Sequence, residues 1–159
     1  MTTIAWRYPY LASDSRVTEG DAVFTNKLQK LFQLKDGSLL GTAGDADDSE
    51  LKKLLERLKG KAPSHKQLHA LDCETQGIWV LPDGKVYILE AIRREDSKGY
   101  VSSVIELKDQ FAAVGSGAAW AQGAMDRGAS AEQAVKTAIK YDTKSGGKTQ
   151  VLKLESSTT

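Results

Sequence analysis

The 159-residue chain has the length of one globular domain with a substantial core. Its formal net charge of +1 gives no electrostatic basis for binding nucleic acid or a membrane surface, and neither is predicted as a partner. The single cysteine, Cys73, fits a reducing compartment, and no apolar run reaches membrane-spanning length. We therefore predict one cytoplasmic domain over residues 1–159, with a polar tail at 155–159.

The first third of the chain is typical of β-structure, and the spacing of the apolar residues then changes to that of a helix. The leucines between 51 and 58 follow helical spacing, with Asp47, Asp48 and Ser49 as the N-cap and Gly60 as the stop. The segment SHKQLHAL is expected to form at most a short helix. The strands expected before the first helix are Thr2–Trp6, Tyr10–Asp14, Val23–Leu34 and Ser38–Ala43.

The second half of the chain adds more strands and two further helices. Pro82-Asp83-Gly84 predicts a hairpin turn between two β-rich runs, and strands are expected at 100–107, 111–114 and 149–154. An alanine-rich helix follows Gly115-Ser116-Gly117, and Ser130 with Gln133 predicts a capping box for the next helix. This order of elements indicates an α+β fold with antiparallel sheets and segregated helices.

Thr2 carries the most specific chemistry that the sequence suggests. If Met1 is removed, Thr2 holds a hydroxyl and a free α-amine on adjacent carbons. A hydroxyl needs a base to act as a nucleophile, and an α-amine titrates at about pKa 7.7–8.0, so part of it is a free base at neutral pH. Taken alone, a threonine after the initiator methionine is more often without function.

Four sequence segments, which occur in a fixed order, favour a functional role for Thr2. ASDSR, GTAGDADD, VGSGAAWAQGA and YDTKSGGK resemble the N-terminal-threonine peptidases, the proteasome β subunits and HslV. The resemblance runs from Thr2 to about Leu154. It implies a four-layer αββα sandwich, in which two antiparallel sheets lie between helical layers, as in the N-terminal-nucleophile hydrolases.

By this resemblance Thr2 matches the nucleophile. Asp14, in ASDSR, matches the buried acid beside the catalytic lysine. Lys30 matches that lysine, which lowers the proton affinity of the amine and helps to move the proton. Gly44, in GTAGD, matches the glycine whose backbone N–H faces the oxyanion.

The resemblance also assigns polar groups around the amine, and the neighbours of Lys30 suggest a wall of the substrate pocket. Ser116 matches the serine near the threonine amine. Asp142 and Ser145, in YDTKSGG, match the acid and the serine that orient it. Leu28 and Phe32, on either side of the lysine, are predicted to line the first specificity pocket and to favour apolar side chains.

The residue types make physical sense independently. On the predicted strand, Leu28, Lys30 and Phe32 point to one face, and a lysine between apolar side chains is partly desolvated. Desolvation favours its neutral form, and Asp14 close by would restore its charge. The alternatives stay open, because Lys30 and Asp14 could form a surface ion pair and Gly115-Ser116-Gly117 could simply begin a helix.

The sequence, read with this resemblance, predicts a threonine endopeptidase subunit without a cofactor, and the resemblance implies a homo-oligomeric ring that degrades polypeptides. The resemblance also implies an unfolding ATPase as a partner. The alternative is a catalytically inactive ring, or a partner-binding or inhibitory protein, that keeps Met1. No metal is predicted, because His65 and His69 lack a third ligand of suitable spacing. Asp45, Asp47 and Asp48 lack the spacing of a calcium loop.

Overall fold

The computed structural model describes residues 2–44, 48–96 and 98–155, and within them the chain forms eleven strands and four helices. Asp45, Asp47 and the tail from residue 156 lie outside the described residues. The strands are β1 Thr3–Arg7, β2 Tyr10–Ser13, β3 Val17–Glu19, β4 Ala22–Thr25, β5 Leu31–Gln33, β6 Leu39–Gly44, β7 Thr75–Val80, β8 Val86–Arg93, β9 Tyr100–Glu106, β10 Phe111–Gly115 and β11 Gln150–Lys153. The helices are α1 Ser49–Leu58, α2 His65–His69, α3 Ala118–Asp126 and α4 Ala131–Tyr141.

The strands form two large antiparallel sheets and a small hairpin. One sheet has four strands in the order β10-β1-β2-β11, and the other has five in the order β5-β6-β7-β8-β9. Strands β3 and β4 pair only with each other among the described residues. The Pro82-Asp83-Gly84 turn joins β7 and β8 as predicted, with Val80 opposite Val86.

The two sheets face each other across a shared core. In the four-stranded sheet Ile4 and Leu11 point toward the other sheet, where Leu39 and Ile78 meet them. Side chains alternate along a strand, so the neighbouring Ala5 points outward and packs under α3 and α4. The helices α1 and α2 cover the outer face of the five-stranded sheet through a second, leucine-rich cluster. The predicted four-layer αββα sandwich is therefore confirmed.

Local sequence patterns predicted most helix ends correctly. Ser130 accepts a hydrogen bond from the Gln133 N–H, and the Gln133 side chain bonds back to the Ser130 N–H, as a capping box requires. The prediction for α1 was only partly right. Asp48 occupies its N-cap but makes no capping bond, because its carboxylate accepts the Thr42 hydroxyl instead.

The single strand predicted from Val23 to Leu34 was wrong. Strand β4 ends at Thr25, strand β5 begins at Leu31, and residues 26–30 run between them outside any strand. These residues bond to both sheets rather than to one neighbouring strand. Their departure from strand geometry separates Leu28 and Lys30 from Phe32, which lies in β5.

None of the helices in the described part of the chain has the length and apolar character that crossing a bilayer requires.

Candidate active site

Asp14 is the centre of the polar network that the fold builds at one end of the sandwich. It follows β2 directly and is completely buried. Five donors from the described residues surround its carboxylate. Oδ1 accepts the Thr2 hydroxyl at 3.0 Å, the Thr3 N–H at 3.1 Å and the Lys30 ammonium at 2.8 Å. Oδ2 accepts the backbone N–H groups of Arg16 and Gly146 at 3.2 and 2.9 Å.

Lys30 reaches this carboxylate from the segment between β4 and β5. It is only 4% exposed, and its ammonium also donates to the Arg16 carbonyl. Burial lowers the pKa of Lys30, and the nearby Arg16 charge adds to the effect. Charge attraction and the hydrogen bond to Asp14 oppose that shift without cancelling it. The result is a cation that holds its proton less tightly than an ordinary lysine.

Thr2 lies at the entry to β1, and its hydroxyl shares Asp14 Oδ1 with Lys30. The Thr2 carbonyl accepts the Ser116 hydroxyl at 3.5 Å and the Gly117 N–H at 3.5 Å. Gly115 has a φ of +97°, and a Cβ there would collide with the Thr2 carbonyl, so only glycine lets β10 pass this close. Met1 lies outside the described residues.

A second polar group lies beside Thr2 and is centred on Asp142, the C-cap of α4. The Asp142 carboxylate accepts the Ser116 hydroxyl at 2.7 Å and the Ser145 hydroxyl at 2.6 Å. Ser145 in turn lies 2.6 Å from the Thr3 hydroxyl. Burial would raise the pKa of Asp142, but hydrogen bonds from Ser145, Ser116 and the Lys144 N–H outweigh it and leave the pKa below its ordinary value.

A cavity of about 70 Å³ opens beside Thr2 and Lys30. Thr2, Leu28, Lys30 and Gly44 line it. Gly44 has a φ of +120°, and a Cβ there would lie 2.7 Å from the Glu74 carbonyl. The remaining lining residues are Arg16, Val17, Thr18, Gln29, Thr42, Ala43 and Asp48.

Phe32 is not part of this wall within the described residues. Its ring packs against the leucine-rich cluster under α1, with the Lys52 ammonium 3.8 Å from the ring centroid. The structure therefore brings together Thr2, Asp14, Lys30 and Gly44, places the Asp142 group next to Thr2, and leaves Phe32 apart. The physical reason is the break in the predicted strand. Lys30 turns toward Asp14 at the end of the four-stranded sheet, whereas Phe32 lies on the outer face of the five-stranded sheet.

Four polar residues of the cavity wall were not singled out from the sequence, namely Arg16, Thr18, Gln29 and Thr42. Arg16 bonds the Asn26 side chain and the Thr143 carbonyl, which places its guanidinium over Gly146. Thr42 donates its hydroxyl to Asp48 at 3.0 Å. Arg16 and Thr42 lie inside the matched segments ASDSR and GTAGDADD, so the segments themselves were the signal.

The histidines set aside as metal ligands form a different contact. His65 Nδ1 and His69 Nε2 lie 2.6 and 2.9 Å from the Ser102 hydroxyl, which ties α2 to β9. Across residues 2–44, 48–96 and 98–155, no group of three or more His, Cys, Asp or Glu side chains is arranged to hold a metal ion.

Comparison with known proteins gives matches among solved structures. HslV from Trypanosoma brucei superposes with a TM-score of 0.65 at 19% identity, over 96% of this chain and 98% of that one. BPH from Thiobacillus denitrificans, solved in complex with epoxomicin, gives a TM-score of 0.60 at 20% identity, over 97% and 98% of the two chains. No protein-family model and no curated protein matches the sequence. The chain therefore has the fold of HslV, as the resemblance of its sequence segments predicted.

Proposed function

We propose that this chain belongs to the N-terminal-threonine peptidases and, once Met1 is removed, cleaves polypeptides with Thr2 as the nucleophile. The observation that carries the proposal is the shared oxygen of Asp14. One buried carboxylate oxygen contacts both the Thr2 hydroxyl and the Lys30 ammonium, beside a cavity that Gly44 lines. The proposed nucleophile, a cation and a candidate oxyanion donor thus meet where a substrate carbonyl could enter.

The reaction begins with the Thr2 α-amine, which is free only after Met1 has been removed. The amine takes the hydroxyl proton as Oγ1 bonds to the scissile carbonyl carbon. The tetrahedral intermediate then breaks its C–N bond, and the leaving amine departs with that proton. Water, activated by the same α-amine, finally hydrolyses the ester and restores the Thr2 hydroxyl.

Lys30 assists by its charge. A cation near the α-amine disfavours a second positive charge there, so more of the amine is a free base at neutral pH. The lowered pKa of Lys30 also lets it exchange a proton with less cost than an exposed lysine. The Gly44 N–H supplies the donor toward the oxyanion, since the absence of a side chain leaves the backbone accessible.

Ser116, Asp142 and Ser145 orient the amine in this proposal. The Asp142 carboxylate orders both serine hydroxyls, and Ser116 also reaches the Thr2 carbonyl. Leu28 remains the proposed wall for an apolar substrate side chain. Thr42 and Asp48 add a polar side to the same cavity.

The proposed subunit assembles into a homo-oligomeric ring, and an exposed aliphatic strip supports this. Ile92, Val101 and Ile105 are 44%, 61% and 56% exposed. Ile92 pairs with Val101 and Ile88 with Ile105, so the strip lies on the face of the five-stranded sheet that looks toward the four-stranded one. Clustered exposed aliphatic residues are typical of interaction surfaces. An unfolding ATPase partner stays a prediction of the resemblance.

Intact-mass measurement with epoxomicin tests the proposal. This probe carries a ketone and an epoxide, which the Thr2 hydroxyl and the free amine can attack in turn. The expected result is a protein that lacks Met1 and gains the mass of one epoxomicin per chain, with loss of cleavage of fluorogenic peptides. A protein that retains Met1 and stays unmodified would instead support the alternative of an inactive ring or inhibitory protein.

Three variants make the test specific. Thr2→Ala removes the hydroxyl and should abolish both modification and cleavage. Thr2→Ser keeps the hydroxyl and the amine and should retain both. Thr137→Ala makes the same change on α4, where the hydroxyl bonds the Gln133 carbonyl, and should behave as the unaltered protein. Modification that persists in Thr2→Ala would exclude Thr2 as the nucleophile.

A further inference from the structure

Gln150, in β11, makes two hydrogen bonds whose geometry links it to the active site. Its side-chain Oε1 accepts the Lys30 backbone N–H at 3.0 Å, and its Nε2 donates to the Leu28 carbonyl at 2.6 Å. The carboxamide therefore bonds the 28–30 segment as a neighbouring strand would, although this segment pairs with no strand of the described sheets. Two bonds from one planar group define both the position and the tilt of that segment.

The segment is attached to both sheets of the sandwich. On the side of the five-stranded sheet, the Thr42 N–H donates to the Lys30 carbonyl at 3.0 Å. On the side of the four-stranded sheet, the Ser15 carbonyl accepts the Leu28 N–H at 3.0 Å, and Gln150 supplies the other two bonds. Gln150 is the partner of the Lys30 N–H, so its loss would leave that half-buried donor without its bond.

We propose that Gln150 is a positioning residue that holds the backbone of Lys30 so that its ammonium stays against Asp14. Lys30 is then fixed at two points, its N–H on β11 and its Nζ at the end of β2. These strands are neighbours, with Gln150 opposite Ser13, the residue before Asp14. The inference rests on the proposed function of Lys30 and adds a residue that lies outside the four matched segments.

The test substitutes Gln150→Met, which keeps the length of the side chain and removes both hydrogen bonds. Hydrogen exchange, followed by mass spectrometry on peptides covering residues 27–31, should become at least about tenfold faster. A misplaced helper group costs up to about 10²-fold, so kcat should fall by that order, with a smaller rise in KM. The acidic limb of the pH–rate profile should move to higher pH, since a displaced Lys30 no longer lowers the proton affinity of the amine.

A merely structural role of Gln150 would lower the melting temperature without moving the acidic limb. Gln122→Met is the matched control, because Gln122 is exposed on α3, and it should leave exchange, kcat and the acidic limb unchanged. Gln150→Ala, which is smaller and cannot clash, takes the place of Gln150→Met if that variant fails to fold. Unchanged exchange at 27–31, or an unchanged kcat and acidic limb, would overturn the inference.

Failure of the proposed function would give a different experimental result from failure of the positioning inference. It appears in the unaltered protein, which would cleave no peptide and gain no epoxomicin mass. The positioning inference can then still be decided from hydrogen exchange and from the pKa of Lys30, followed by NMR of its ε carbon. Release of the segment from its buried place should raise that pKa in Gln150→Met toward the ordinary lysine value, and an unchanged pKa would overturn the inference.

Discussion

Two carboxylates lie near Thr2, and they differ in burial and in the charge of their hydrogen-bond donors. Asp14 is completely buried and neutralises a buried ammonium, with four further donors around its oxygens. Asp142 is only half-buried, and neutral hydroxyls and a backbone N–H satisfy it. Asp14 is therefore part of the core as well as of the site, whereas Asp142 belongs to the rim.

The difference predicts how each group tolerates change. A buried ion pair that loses one partner leaves an uncompensated charge in a low dielectric, which is costly. A half-buried carboxylate that loses its charge leaves hydroxyls that can rotate or bond water. Substitutions should therefore affect both folding and activity at Asp14, but mainly activity at Asp142.

The largest effect is expected for Asp14→Asn. The variant keeps the shape of the side chain but leaves Lys30 without its counter-ion, which should lower the free energy of unfolding by about 3–5 kcal/mol. Peptide cleavage should be lost. Urea denaturation and fluorogenic-peptide assays measure the two effects. Asp126→Asn, at the exposed end of α3, is the control and should change neither.

The next effect comes from removing both charges together. Asp14→Asn with Lys30→Met should be more stable than the sum of the single changes implies, with a coupling of about 1–3 kcal/mol, because no unpaired charge remains. Activity should stay absent. A double-mutant cycle in urea measures the coupling, and strictly additive losses would show that the two groups do not act as a buried pair.

Asp142→Asn should have a smaller effect on folding, about 1 kcal/mol at neutral pH, through loss of charge-assisted hydrogen bonds. The pKa of Asp142 is lowered in the folded protein, so the stabilisation it provides exists above its unfolded pKa. It is lost as the pH falls through the folded pKa, below about pH 4. Denaturation curves of the two proteins should therefore converge in acid, and a constant difference would contradict this assignment.

The smallest effect on subunit stability is expected for Ile105→Lys in the exposed strip, within about 0.5 kcal/mol. Its effect on assembly should be large, because a lysine in an apolar interface must be desolvated. Light scattering should detect a shift toward the 17.3 kDa monomer. Lys108→Gln, nearby on an exposed loop, should leave the assembly intact, and an unchanged mass for Ile105→Lys would place the contact elsewhere.

Sequence reasoning succeeded where the controlling interactions are local. The hairpin at Pro82-Asp83-Gly84 and the capping box of Ser130 and Gln133 depend on residues within a few positions of each other. The predicted strand through Lys30 failed because its backbone bonds to Gln150, 120 positions away. No local pattern carries that information.

In the candidate site, too, local features were predicted and long-range contacts were not. The resemblance assigned Asp14, Lys30 and Gly44 to the site. The fold brings Lys30 and Gly44 to one cavity with Thr2, and Asp14 bonds to Lys30 beside it. The geometry that connects them could not be predicted, since Asp14 Oδ2 also depends on Gly146 from beyond the last helix. Asp48 was predicted as a capping residue, yet a contact from β6 redirects its side chain.

The double attachment of residues 28–30 has a consequence for newly made chains. Until the sheets have docked, the Thr42 N–H and the Gln150 carboxamide cannot hold the segment at the same time, so the lysine has no defined place. A chain that is still folding therefore lacks the assembled candidate site, and under the proposed function it is unable to cleave other proteins until the sheets have docked.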